Sequence, residues 1–238
     1  MFEYEVKIRY SELDNKGNMR LDALLDQFQD CSIFHSESLA VGMKYLDEHG
    51  MFWALSAWQI VIHRYPKLGE VVTIGTHPYE FKGFIGYRNF WMKDKDGNQL
   101  ACANSIWSLI RKEDSKPVKA TPIMLETYKL GEKIKMNYAD RRIRFQGEPE
   151  KQDVVEVTKH HLDTNQHVNN GQYVKIAMDY LPMDFPIHQL RAEYKMQAHL
   201  GTKMIPMKYE SEDTVGISLQ DEEGKVFCNV EFSSVYED

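Results

Sequence analysis

Three polar side chains stand at alternate positions in one short stretch of the chain: Asp163, Asn165 and His167. Alternate side chains point the same way in extended backbone, so we expect all three to face one cleft. They offer an acid, an amide and an imidazole. A free imidazole has a pKa of about 6.5, which suits proton transfer near neutral pH. This set of groups predicts attack on an acyl group.

The same stretch leads into a predicted helix, whose first backbone N–H groups have no partner within the helix itself. Asn169 or Asn170 suits the N-cap position of that helix. We predict that the N–H groups near Val168 and Asn169 bind the oxyanion of the substrate. Donors of that kind typically lower a barrier by ~3 kcal/mol.

Each polar side chain of the stretch has a predicted role and a structural alternative. We assign proton transfer to His167, and the positioning of water or the polarisation of the carbonyl to Asn165. Asp163 would orient Asn165 or the backbone. The structural alternative for His167 is a histidine whose hydrogen bonds serve only the fold. For Asn165 it is a turn-forming asparagine, and for Asp163 an exposed loop carboxylate.

Composition limits the class of protein. Of the 238 residues, 42% are apolar and 27% are charged, and no apolar run approaches the ~18 to 20 residues of a membrane span. The net charge of −7 argues against a nucleic-acid binder, which needs a basic surface. The N-terminus carries Glu3 and Glu5 where a secretory signal carries base. We predict a cytoplasmic protein that binds no nucleic acid and no membrane.

The three cysteines, Cys31, Cys102 and Cys228, are far apart and form no CxxC pair. Neither a zinc site nor a disulfide framework is indicated. We predict buried, inert thiols rather than a nucleophile, because free cysteine usually packs as a small apolar residue. We expect no metal ion and no other cofactor.

The order of predicted elements occurs twice along the chain. In each half a short strand and a polar loop precede a helix, and an antiparallel meander follows, with Asp and Gly at the turns. We predict an α+β fold of two tandem hotdog units, each a long helix wrapped by a curved antiparallel sheet. The predicted bounds are 1–130 for the N-terminal unit, 131–150 for a linker and 151–238 for the C-terminal unit.

A family resemblance adds to this reading. Residues 162–170, Leu-Asp-Thr-Asn-Gln-His-Val-Asn-Asn, followed by Tyr173, are similar to the signature of the plant and bacterial acyl-ACP thioesterases. Residues 191–195, Arg-Ala-Glu-Tyr-Lys, resemble the second segment of that family, and residues 10–14 and 105–107 extend the likeness. The resemblance implies hydrolysis of fatty acyl thioesters of acyl carrier protein (ACP) to free fatty acid, in fatty acid biosynthesis, with ACP as the partner.

One position departs from the family pattern. The family has a Glu three residues after the strand tyrosine, here Tyr194, and plant members have a Cys next to it. This chain has Gln197 and Ala198 at those places. Gln cannot take a proton, so we expect Gln197 to position water while His167 or Asp163 acts as base. The alternative is a much slower enzyme.

The resemblance also implies that the first half of the chain holds the acyl chain. Its loop at residues 14–18 has no histidine, so we predict no second catalytic centre there. Bulky residues of the first helix and the following strand, among them Phe28 and Trp53, would line an acyl tunnel. Ordinary core packing explains an apolar stripe of this kind equally well.

Two other functions also fit the sequence. One is an acyl-CoA thioesterase of similar fold, and the other is a hotdog protein that binds acyl thioesters without cleaving them, which Gln197 alone favours. A tandem hotdog supplies in one chain the pair of units that single hotdogs obtain by dimerising. We therefore predict a monomer, or a homodimer formed through exposed sheet edges.

Overall fold

The computed structural model of the chain describes residues 1–163 and 166–235. They divide into two compact units. One comprises Met1–Ser56 with Ile62–Asn137, and the other comprises Ala57–Val61 with the chain from Tyr138 onwards. The second unit thus begins inside the stretch predicted as a linker and includes a short segment of the first half. The domain bounds given above stay a prediction.

In the first unit a long helix packs against an antiparallel sheet. The helices are α1 (Leu21–Ser38), α2 (Met43–Glu48) and α3 (Pro122–Thr127), and the strands are β1 (Phe2–Lys7), β2 (Met51–Ile62), β3 (Val71–Lys82), β4 (Ile85–Lys93) and β5 (Gln99–Arg111). Strand neighbours follow the order β1-β3-β4-β5-β2, and α1 packs on β1 and β3. The sequence predicted this helix from the helical spacing of apolar residues, among them Leu24, Leu25 and Phe28, and the structure confirms it. Those three residues and Cys31 are fully buried on one face of α1.

The second unit repeats this plan with a shorter helix. Its elements are β6 (Glu150–Lys151), β7 (Val155–Glu156), α4 (Asn170–Met178), β8 (Gln189–Tyr194), β9 (Lys203–Glu210), β10 (Thr214–Gln220) and β11 (Val226–Ser233). Strand neighbours follow the order β2-β8-β11-β10-β9-β6, and β7 also pairs with β9. The helix α4 packs on β10 and β11. None of the helices in the described parts of the chain is long and apolar enough to cross a membrane.

The helix α4 ends earlier than the sequence predicted. Apolar spacing suggested a helix through Tyr180, but the structure ends it at Met178. The N–H groups of Tyr180 and Leu181 bond to carbonyls three residues back, in turns. Pro182 explains the early end, because a proline disfavours helical backbone in the residue before it.

The hairpin turns of both units share one design. Between β4 and β5, Oδ1 of Asp94 accepts the N–H of Asn98 at 2.9 Å, and Gly97 has φ of 83°. Between β10 and β11, Oδ1 of Asp221 accepts two N–H groups in the same way, and Gly224 has φ of 79°. Glycine reaches a positive φ without steric cost, so the predicted Asp/Gly hairpins are confirmed.

A buried guanidinium lies between helix and sheet in the first unit. Arg88 of β4 is only 7% exposed. Its Nη1 donates to Nδ1 of His35 at 2.9 Å and to Oγ1 of Thr76 at 3.2 Å, and the Tyr128 ring lies 5.6 Å from it. Both acceptors are uncharged. Because an arginine only donates, Nδ1 of His35 carries no proton. Burial, with the neighbouring Arg88 charge, lowers the pKa of His35 to about 3.

This arrangement predicts an acid-sensitive first unit. Unfolded His35 takes a proton below about pH 6.5, whereas folded His35 stays neutral until about pH 3. Between those limits the unfolded state binds more protons, so the free energy of unfolding falls as pH falls, by about 1.4 kcal/mol per pH unit for one group. His35→Asn keeps an acceptor for Arg88 but does not titrate. In this variant the free energy of unfolding should therefore lose the part of its pH dependence that comes from His35.

The measurement is urea denaturation of both proteins at several pH values between about 4 and 6. Other titratable groups contribute equally to both proteins, so the difference between the two slopes isolates His35. Parallel stability curves for wild type and His35→Asn would show that His35 does not resist protonation.

Candidate active site

An antiparallel bridge between Leu162 and Val168 joins the two described sides of the 162–169 loop. Inside it, the N–H of Asp163 donates to the carbonyl of His167 at 2.8 Å, and Oδ1 of Asp163 accepts the N–H of His167 at 3.2 Å. Asp163 therefore holds the backbone at His167, which is one of the two roles predicted for it. Asn165, like Thr164, lies outside the described residues.

Asn169 is the N-cap of α4, as one of the two predicted alternatives had it. Its side-chain Oδ1 accepts the N–H of Gly171 at 2.8 Å. Such a cap satisfies one of the free donors at a helix start. The cap sets the residue at which α4 begins, directly after the loop.

The predicted oxyanion donors need correction. The N–H of Val168 donates to the carbonyl of Ala198 at 3.0 Å, and the N–H of Asn169 donates to the carbonyl of His161 at 2.9 Å. Because both donors are used within the protein, neither is open to a substrate oxygen in this structure. At the helix start, the N–H of Asn170 has no acceptor among the described residues.

Gln197 lies just beyond strand β8, which ends at Tyr194. The Gln197 side chain is exposed. Its neighbour Ala198 is buried, and the Ala198 N–H donates to the Tyr173 hydroxyl of α4 at 3.0 Å. The carbonyl of Ala198 accepts the Val168 N–H. These two hydrogen bonds tie the segment after β8 to α4 and to the 162–169 loop. They bring position 197 close to the loop in space.

A second histidine, which the sequence analysis missed, lies against His167. The rings of His167 and His199 have centroids 4.8 Å apart and planes 66° from parallel, an edge-to-face contact. His199 is exposed and His167 is half-buried. The N–H of His199 donates to Oγ1 of Thr202 at 3.0 Å, so a turn fixes the backbone of His199. Its place two residues after Gln197 was the available signal in the sequence.

Two other ionisable groups of the second unit, Glu193 and Tyr173, are engaged in structural contacts. The buried Glu193 carboxylate accepts the N–H of Ile143 and the amide of Asn229, each at 3.3 Å, and lies 3.4 Å from Nζ of Lys195. Burial raises the pKa of the Tyr173 phenol, which therefore stays protonated. Neither Glu193 nor Tyr173 is placed to take a proton from water.

The three thiols are all buried, as predicted. Burial raises the pKa of Cys31 to about 12 and that of Cys102 to about 11, and it raises the pKa of Cys228 as well. A thiolate is the reactive form of cysteine, so these thiols do not serve as nucleophiles near neutral pH.

The two residues predicted to contact the acyl chain, Phe28 and Trp53, belong to the first unit. Phe28 is 0% exposed, and its ring lies 5.4 Å from that of Phe90. Trp53 is half-buried, with its ring 6.1 Å from that of Phe81. Full burial is what core packing requires of Phe28, whereas Trp53 keeps an accessible face.

Two family models match the chain: the acyl-ACP thioesterase N-terminal domain over residues 1–128 and the acyl-ACP thioesterase C-terminal domain over residues 146–232. The chain belongs to the acyl-ACP thioesterase family. A chloroplastic acyl-[acyl-carrier-protein] hydrolase of Cuphea viscosissima is 21% identical in an alignment 226 residues long that covers 84% of this chain. The chain spans about half, 52%, of the length of that hydrolase.

Solved structures of this thioesterase family show the same fold. An acyl-ACP thioesterase of Bacteroides thetaiotaomicron matches with a TM-score of 0.89 at 22% identity, covering 97% of this chain and 96% of that one. The 12:0-ACP thioesterase of Umbellularia californica matches with a TM-score of 0.87 at 16% identity, covering 98% and 96%. The predicted α+β tandem hotdog fold is confirmed.

Proposed function

We propose that this member of the acyl-ACP thioesterase family hydrolyses fatty acyl thioesters of ACP, giving free fatty acid and the ACP thiol, in fatty acid biosynthesis. The observation that carries the proposal is the 162–169 loop, which holds His167 beside the capped start of α4 and is tied to the segment that carries Gln197. This loop is also the stretch most similar to the family signature.

The proposed chemistry uses side chains of this loop and a backbone N–H at the start of α4. Water attacks the thioester carbonyl carbon, the C–S bond breaks, and the leaving sulfur takes a proton. His167 transfers protons, since an imidazole can both accept and donate them near neutral pH. The N–H of Asn170 replaces the two engaged donors as the group that binds the oxyanion, and the Asn165 amide positions water or polarises the carbonyl.

The two halves of the chain have different proposed roles. The first, residues 1–130, binds the acyl chain through residues such as Trp53, and the second, residues 151–238, carries out the chemistry. Residues 131–150 join them. A monomer or homodimer in the cytoplasm stays a prediction, as do the expectations of no cofactor, no bound nucleic acid and no membrane.

The experiment that tests the function is release of free fatty acid from purified acyl-ACP thioesters of several chain lengths, with acyl-CoA thioesters of the same acyl groups in parallel. We expect release from the ACP thioesters with the higher kcat/KM. Faster release from acyl-CoA would instead identify the chain as an acyl-CoA thioesterase.

Gln197→Glu, assayed beside wild type, separates hydrolysis from binding alone. We expect wild-type release at neutral pH, and we expect the variant to stay active at lower pH, because an ordinary carboxyl loses its proton about two pH units below an imidazole. Tight acyl-ACP binding by the wild type with release only in Gln197→Glu would show that the chain is a binding protein. The exposed Gln197 is the observation that favours this second function.

A further inference from the structure

We propose that His199 supplies the general base that position 197 lacks, and that it works as a pair with His167. The inference rests on the proposed hydrolysis and adds a catalytic residue to it. Its starting observation is the edge-to-face contact of the two rings, with centroids 4.8 Å apart. Both rings have surface open to solvent, so both can meet water and substrate.

Hydrogen bonds hold the backbone of each of the two histidines in place. His167 is held by the carboxylate of Asp163 and precedes Val168, whose N–H binds the carbonyl of Ala198. His199 directly follows Ala198 and is held by the turn to Thr202. One backbone hydrogen bond therefore joins the residues next to the two histidines. The backbones that carry the two rings are therefore held next to each other by the fold.

Four other candidate bases of the second unit already accept or share hydrogen bonds within the protein. Glu193 accepts hydrogen bonds from Ile143 and Asn229, and Tyr173 is kept protonated by burial. The Nδ1 atom of His161 accepts the N–H of Thr158 at 3.0 Å. Asp163, the carboxylate nearest to the pair in the chain, accepts the N–H of His167. His199 is an exposed imidazole on the same segment as Gln197, and an imidazole can take a proton near neutral pH.

The proton balance explains why a pair is useful. Neutral His199 takes one proton from water as the water oxygen bonds to the thioester carbonyl carbon. Protonated His167 gives a proton to the sulfur as the C–S bond breaks. The proton on His199 then returns to His167 through solvent water, which reaches both residues, and both return to their starting forms. The net reaction consumes one water and yields one acid and one thiol.

Three variants test the proposal on acyl-ACP thioesters that the wild type hydrolyses. His199→Gln is expected to lower kcat about 100-fold, the usual scale for loss of a general base. His199→Phe is expected to lower kcat by the same factor, because it keeps an aromatic ring against His167 but has no group that takes a proton. The double variant Gln197→Glu with His199→Gln should regain at least about 10-fold over His199→Gln alone, since a carboxylate returns at the family position.

The pH profile identifies the restored group. In the double variant, kcat/KM should persist to lower pH than in wild type, because a carboxylate base stays ionised where an imidazole is protonated. His160→Gln is the matched control, since His160 is an exposed histidine of the same unit with no assigned role, and it should keep wild-type activity. Circular dichroism and thermal unfolding of every variant check that the fold is intact.

The outcomes separate this inference from the proposed function. Wild-type hydrolysis with a fully active His199→Gln overturns the inference and leaves the function standing. An active His199→Phe with an inactive His199→Gln reduces His199 to a packing role and also overturns it. A wild type that releases no fatty acid overturns both. Loss of activity in His199→Gln and in His199→Phe, with activity regained in the double variant, supports the inference and the proposed function.

Discussion

Phe28→Ala is expected to lower the free energy of unfolding by about 3–5 kcal/mol, the usual cost of truncating a buried phenylalanine. The Phe28 side chain is fully buried on α1 and packs against Phe90 of β4. Truncation removes the contact of Phe28 with Phe90 and leaves a cavity between helix and sheet, because close-packed neighbours relax only partly. A domain is stable by only about 5–15 kcal/mol, so a large share of the stability would be lost.

The measurement is chemical denaturation of wild type and variant at one pH and temperature. Phe34→Ala is the matched control, since Phe34 lies on the same helix but is 49% exposed, and its truncation should cost under about 1 kcal/mol. If Phe28→Ala kept wild-type stability and instead changed the preferred acyl chain length, Phe28 would line the substrate tunnel and the core assignment would fail.

Elements with local signals were predictable from the sequence. The helix α1 follows from apolar residues at helical spacing, and the two hairpins follow from an Asp and a Gly at fixed places in each turn. Local interactions of the side chains and backbone determine the conformation of these elements, and tertiary contacts add stability to it. The same logic narrowed the N-cap of α4 to Asn169 or Asn170, since a cap acts within its own turn, and the structure has Asn169 there.

Features that depend on distant segments were not predictable. Whether the N–H groups of Val168 and Asn169 are open depends on the carbonyls of Ala198 and His161, which only the folded chain brings to them. The contact of His199 with His167 depends on the turn to Thr202. A polar residue near a catalytic motif therefore needs its tertiary partners before its role can be assigned.

The buried Arg88 shows the same limit within a correctly predicted strand. The sequence predicted an antiparallel meander after the first helix, and β4, which carries Arg88, is one of its strands. Nothing in the sequence alone indicated that a guanidinium in this strand would be buried with only uncharged acceptors. Burial of a charge is costly unless hydrogen bonds compensate it, and His35, Thr76 and the Tyr128 ring supply that compensation from three other segments.

His167→Ala is expected to lower kcat on acyl-ACP thioesters by about 100-fold or more, because general acid–base catalysis typically contributes factors of that size. Asn165→Ala should have a similar effect if its amide positions water or the carbonyl. The backbone contacts of His167 with Asp163 do not involve the imidazole, so the loop should keep its conformation in His167→Ala.

The measurement is steady-state release of fatty acid, with kcat and KM reported separately. Loss of a proton-transfer group should appear in kcat, whereas loss of substrate contacts alone should appear in KM. His160→Ala, an exposed histidine before the loop, is expected to keep wild-type kcat. Wild-type rates in both His167→Ala and Asn165→Ala would show that the 162–169 loop is not the catalytic centre, since the remaining residues of the loop offer no other group that can donate a proton to the leaving sulfur near neutral pH.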